Sequence, residues 1–182
     1  MLKKVKSGFS LVELSLVLII IALIISAVVS GKSLVTNSKL TMLHSEMQTL
    51  RIALGNYIND NQKSAFTNVT DVSLYDLMSD GYLEDDTVKT YADADASSAA
   101  ATDIFKSKYS GGAWQYAGTA DETIVEFGKV ASADGAMTAL LTDNMVKNFQ
   151  TKYQKPGAIE ITDAGNTGTS ILKVEFLDGA QN

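Results

Sequence analysis

The sequence predicts an α+β protein in which one long N-terminal helix carries a small antiparallel sheet. Three observations predict it. From Gly8 to Val29 the chain is apolar apart from three serines and one carboxylate, Glu13. From Leu43 to Ile58 apolar side chains return at helical spacing. Further on, short alternating segments rich in β-formers are separated by turn residues.

The totals narrow the function. A chain of 182 residues fits one domain plus an appendage. Residues 1–8 hold three of the 15 Lys and Arg and none of the 21 acids. The remainder therefore sets twelve bases against 21 acids, a formal charge of −9. So acidic a body argues against direct binding of nucleic acid, which needs clustered Lys and Arg. There is no cysteine, and His44 is the single histidine. Disulfides, thiolate metal sites and a cysteine nucleophile are excluded, and a His-based catalytic or zinc site lacks its ligands.

The first element is the apolar helix. Leu14 to Gly31 carries no charge. At ~1.5 Å per residue that run approaches the ~30 Å hydrocarbon core of a bilayer. Lys3, Lys4 and Lys6 precede it, which places the N-terminal end in the cytoplasm and the body outside it. A secretory signal cleaved before Gly31, after the small residues Val28-Val29-Ser30, is the competing reading. Glu13 interrupts the apolar region, and the helical pattern continues past Gly31; both count against cleavage there. An acid at the centre of a bilayer costs about 2.5–3.5 kcal/mol, so Glu13 needs a reason. Ser10-Leu-Val-Glu13 fits a helix capping box, which is one such reason.

Lys3-Lys4, then Ser7-Gly8-Phe9-Ser10-Leu11-Val12-Glu13-Leu14, resembles the processing site of type IV pilins and type II secretion pseudopilins. The likeness covers about the first third of the chain. It implies that a prepilin peptidase cuts between Gly8 and Phe9 and that Phe9 becomes an N-methylated N-terminus. It also implies that Glu13 faces the terminal amine of a neighbouring subunit during assembly. Opposite charges attract far more strongly in a low dielectric than in water. Many members carry a helix-bending proline near the end of the apolar segment. Here the lone proline is Pro156, and Ser30-Gly31 stands in that region.

The second half of the helix is amphipathic. Leu43, Met47, Leu50, Leu54, Tyr57 and Ile58 form one stripe, with Lys39, His44, Glu46 and Arg51 off it. The stripe is expected to cover a globular body, and His44 to be a solvated surface residue. The helix should end near Asn59-Asp60-Asn61, about 75 Å from Ser10 at ~1.5 Å per residue. Ser30-Gly31-Lys32-Ser33 copies the end of a phosphate-binding loop, but the first glycine and the preceding strand are missing.

In the body, residues 62–70 read as a loop and Ser73 to Met78 as a short helix ended by Asp80-Gly81. Leu74, Leu77 and Met78 share a face, and Tyr82-Leu83 packs back. Glu84-Asp85-Asp86, followed by Asp93 and Asp95, forms an acidic region. Some pseudopilins bind calcium in their C-terminal region, but no D-x-[DN]-x-[DN]-G loop is present here, and a solvated loop is expected. Tyr91 to Asp103 is low in complexity and reads as a surface loop. Trp114–Ala117 and Thr123–Phe127 read as strands. Residues 136–153 read as a helix with Met137, Leu140, Leu141, Met145 or Val146, and Phe149 on its stripe, stopped by Lys155-Pro156-Gly157. Ala158–Thr162 and Ser170–Leu177 read as two further strands around a turn at 163–169. These four strands are expected to form an antiparallel sheet over the Leu43–Ile58 stripe. No catalytic dyad, nucleophile elbow or metal-ligand cluster stands out.

The expected organisation is a cleaved basic leader at 1–8, a transmembrane or filament-core half-helix at 9–31, an amphipathic half at 32–61 and an α+β head at 62–182. The resemblance implies a structural subunit of a type IV pilus or related filament. A type II secretion pseudopilin or minor pilin is the alternative within the family, and a monomeric anchored or secreted binding module the alternative outside it. No enzymatic activity, cofactor or metal is expected. The implied partners are other subunits, the prepilin peptidase, an assembly ATPase and an inner-membrane platform. The precursor would sit in a bacterial inner membrane, single-pass with its body outside the cytoplasm, before entering a cell-surface or periplasmic filament.

Overall fold

In the computed structural model the described residues are 10–61, 73–84, 87–91, 102–109, 111–117, 122–130, 137–164 and 169–177. The chain divides into two compact units, Met1–Ser38 and Lys39–Asn182. Helix α1, Leu11–Asp60, supplies the described part of the first unit and opens the second. Ser30 and Gly31 are both helical, so the helix is not interrupted where the sequence left its course open.

The second unit is the predicted α+β body. After α1 come α2 (Leu74–Ser79), β1 (Val88–Tyr91), β2 (Thr102–Lys106), β3 (Ala113–Tyr116), β4 (Thr123–Val130), β5 (Met137–Thr138), α3 (Asp143–Tyr153), β6 (Ile159–Asp163) and β7 (Leu172–Phe176). The strands form one antiparallel sheet in the order β1-β2-β3-β4-β7-β6, with β5 paired to β4. Alternation along the strands builds the core face. Val88, Phe105, Trp114, Phe127 and Leu172 make one row across it; Tyr116, Val125, Val174 and Ile161 make the next. Leu40, Leu43, Met47, Leu50, Leu54 and Ile58 of α1 are buried with these rows in a single core. Each such side chain contributes about 1.5–3 kcal/mol when fully buried. The predicted stripe is thus the covering layer of the sheet, with Tyr57 half-buried at its margin.

Several expectations are corrected. Among the described residues the sheet has seven strands rather than four. β1 and β2 flank the low-complexity stretch, so Tyr91, Thr102 and Asp103 are strand residues instead of loop. The helix expected over 136–153 starts at Asp143. Met137 lies in β5, while Leu141 is fully buried and bridges Ser170. Met137, Leu140 and Leu141 copy helical spacing, but their backbone bonds go to β4 and to Ser170. The alternative at 145 and 146 resolves to Val146 as the buried residue, with Phe149 beside it.

Glu46, placed off the stripe by its charge, is buried. Its Oε2 accepts from Ser107 Oγ at 2.6 Å and from the Trp114 indole N–H at 2.9 Å, and its Oε1 from the Lys108 amide at 2.7 Å. Three donors replace the water that an isolated buried carboxylate would lack. They tie α1 to β3 and to the turn after β2. Arg51, also placed off the stripe, is part-buried, and its Nε has no hydrogen-bond partner among the described residues.

Local chemistry sets the ends. Ser73 and Asp76 close a capping box on α2, and Gly81 at φ +81° turns the chain so that the Tyr82 and Leu83 amides bond back to Leu77. The C-terminal strands are held without a disulfide. Ser170 Oγ lies 2.8 Å from both Asp143 Oδ1 and Asp163 Oδ2, joining the start of α3, the end of β6 and the approach to β7. The loop expected at 62–70, Asp85, Asp86, Asp93, Asp95 and residues 165–168 lie outside the described residues.

Two outcomes follow from this packing. A Cβ at Gly128 would stand 2.6 Å from the Thr138 carbonyl oxygen. Gly128→Ala is expected to break the β4–β5 pairing and cost about 1–3 kcal/mol, lowering the thermal midpoint in detergent; an unchanged midpoint would show that pairing to be dispensable. Glu46→Ala strands three donors and should cost at least about 3 kcal/mol. Denaturant unfolding followed by the fluorescence of Trp114, the chain's one tryptophan, reads this directly.

Candidate functional site

Gly8 and Phe9, the expected cleavage residues, lie outside the described residues, as do Lys3, Lys4 and Lys6. Glu13 stands in the first turn of α1. Its Oε2 accepts from the Ser10 amide at 2.9 Å, while Ser10 Oγ accepts from the Val12 amide at 3.3 Å. The capping box read from the sequence is therefore formed, with the serine on the second helical amide rather than the third. Two of the helix's orphan donors are satisfied by one short motif. Ser15 Oγ donates to the Val12 carbonyl at 2.8 Å, so this hydroxyl is also satisfied within the helix.

Beyond the cap, the first unit presents apolar surface on every side. Large side chains from Leu11 to Val35 are 46–86% exposed. Burying sixteen such residues is worth tens of kcal/mol at about 1.5–3 kcal/mol each, several times the 5–15 kcal/mol that hold a domain together. Water is thus the wrong solvent for this unit. The helix is long and apolar enough to cross a membrane, and none of its apolar window is buried by the chain itself.

Within the second unit, the outward face of α1 is polar but uncharged. Thr41, Ser45, Thr49, Asn56 and Asn59 are exposed there, and among them Ile52 is 60% exposed. Thr49 Oγ1 donates to the Ser45 carbonyl at 3.1 Å. A helix face meant for water ordinarily carries Lys and Glu; this one has none over five turns.

The far end of α3 corrects the reading of His44. Its ring is half-buried and stacks on Tyr153 with centroids 3.9 Å apart, and Phe149 lies tilted at 6.5 Å. Burial, with the charges of Lys155 and Lys152, holds its pKa below the ordinary 6.5. On the opposite side of the sheet, Glu160 of β6 pairs directly with Glu175 of β7. Loss of hydration, and then the neighbouring Glu122 and Glu160, raise the Glu175 pKa, which Lys173 partly offsets.

Among the described residues no group of three or more His, Asp and Glu is placed to hold a metal. Among the described residues the candidate features are surfaces: a capped acid at the head of an uncovered apolar helix, and a charge-free helix face on the body.

The His44 environment predicts a pH response. The folded state favours neutral imidazole, so its contribution is complete above pH 6.5 and is lost as pH falls through the lowered folded value. His44→Phe retains the stack and should remove that part of the pH dependence. Unfolding midpoints across pH 5–8 check it; an unchanged slope in the variant would refute the assignment. Comparison of the chain with family models, curated proteins and solved structures finds no match in any of the three.

Proposed function

We propose that the chain is a structural subunit of a type IV pilus or a related filament, a type II secretion pseudopilus included. The observation that carries this reading is the uncovered apolar helix headed by a capped acid. A bilayer accommodates the apolar surface before assembly. Exchange of lipid for the helices of other copies then keeps it from water throughout. The charge-free face from Thr41 to Asn59 supports the same reading, because hydroxyl and amide groups enter a packed interface at less cost than charges.

In this reading, a prepilin peptidase cuts between Gly8 and Phe9, and N-methylated Phe9 starts the mature chain. The new amine then lies one residue before the Ser10 amide that Glu13 already binds. The capping box thus holds the carboxylate at the extreme end of the helix, where a neighbour's amine can approach it. The protein performs no catalysis. Its partners are other subunits, the peptidase, an assembly ATPase and an inner-membrane platform.

Mass spectrometry of the mature protein tests the processing: a methylated Phe9 start is expected, and a start at Gly31 or an intact Met1 would overturn the reading. Glu13→Gln separates the two roles of the acid, since glutamine keeps the box acceptor and loses the charge. The variant should be cleaved normally yet yield at least tenfold fewer sheared filaments by immunoblot. Wild-type yield would mean that Glu13 serves only as a cap.

A further inference from the structure

The proposed polymer requires faces by which the bodies meet, and the charges outside the core suggest a pair of them. β6 alternates: Ile159 and Ile161 are buried, so Glu160 projects from the other side of the sheet, where it stands opposite Glu175. Glu122 is exposed at the entry to β4, the neighbour of β7. Lys173, on the same side, has Glu126 and Thr162 as its cross-strand neighbours. Directly opposed like charges disfavour a sheet that stands alone.

The cations occupy the core side. Lys155 bridges Ile159 in antiparallel fashion and so shares the side of that buried residue. Lys152 Nζ lies 5.1 Å from the centre of the Tyr153 ring, on which His44 stacks. Lys152 and Lys155 are both exposed, and neither has a carboxylate ion-pair partner among the described residues. The sheet separates the two sets, so within one subunit Lys152 and Lys155 do not meet Glu160 and Glu175, and Lys173 is the cation beside those acids.

We infer that the Lys152–Lys155 end of α3 in one copy of this chain docks against the Glu160–Glu175 face of the next copy. The inference rests on the filament reading for its repetition, because a contact between two different faces generates an open helical assembly wherever the rotation does not close into a ring. A polyanion such as nucleic acid or an anionic lipid surface fits less well: it would approach a body of formal charge −9, whereas a second copy offers carboxylates at fixed positions beside many other contacts.

The test uses the full-length chain in cells that assemble it. Equal populations grown in ¹⁴N and ¹⁵N medium are mixed as membranes and filaments, reassembled and treated with a carbodiimide. Mass spectrometry should find mixed-isotope cross-links from Lys152 or Lys155 to Glu160 or Glu175; their absence overturns the proposal. Lys152→Glu with Lys155→Glu, and separately Glu160→Lys with Glu175→Lys, should each lower filament recovery at least tenfold. Co-expression of the two variants, or one chain carrying all four changes, should restore it. Wild-type recovery from either pair alone, or no restoration by co-expression, overturns the proposal. Mixed cross-links in a wild-type chain that forms no filaments would overturn the filament reading and leave this contact standing.

Discussion

The body depends on one constraint: the stripe Leu40 to Ile58 of α1 must lie over the sheet in a single register. Apolar burial supplies most of the attraction, but a greasy stripe on a greasy sheet tolerates sliding. Glu46 removes that freedom. Its two oxygens are bound by Ser107, Lys108 and Trp114, so a shift of one turn would leave a buried carboxylate and the buried Trp114 indole N–H without partners. Trp114 belongs to the row that crosses the sheet from Val88 to Leu172. A polar contact therefore aligns the whole apolar layer.

Much of this was legible in the sequence. The α1 stripe, the Ser10–Glu13 box, the short helix after Ser73 and the strands β3, β4, β6 and β7 rest on local periodicity and capping, which need no tertiary knowledge. What escaped depended on partners distant in the chain. β1 and β2 are short and border a stretch of small residues, so only their mutual pairing and that with β3 defines them. Met137, Leu140 and Leu141 have helical spacing, and only the bridge to Ser170 reveals their extended course. Glu46 was the informative miss. It stands three residues after Leu43 and four before Leu50, at a core position, and its charge hid a spacing that was visible.

The two units place opposite demands on one helix. Leu11 to Val35 offers apolar surface to its surroundings, whereas Leu40 to Ile58 turns its apolar side inward and shows hydroxyls and amides outside. Hydroxyls along both parts bond back to the helix, as Ser15, Thr36 and Thr49 do. Such residues are polar in composition yet demand little of their environment. The same helix thereby combines an apolar first part with a second part in which an outer hydroxyl, that of Thr49, is already satisfied.

The placement of β7 has a consequence for how the protein is made. Leu172–Phe176 is late in the sequence but interior in the sheet, between β4 and β6. Until that strand arrives, β4 has an open edge and β6 has no neighbour in the sheet. Cooperative closure of the core must wait for nearly the whole body to emerge from the ribosome. The strands made first must therefore wait, with an edge of β4 unpaired, until residues 172–176 have been delivered.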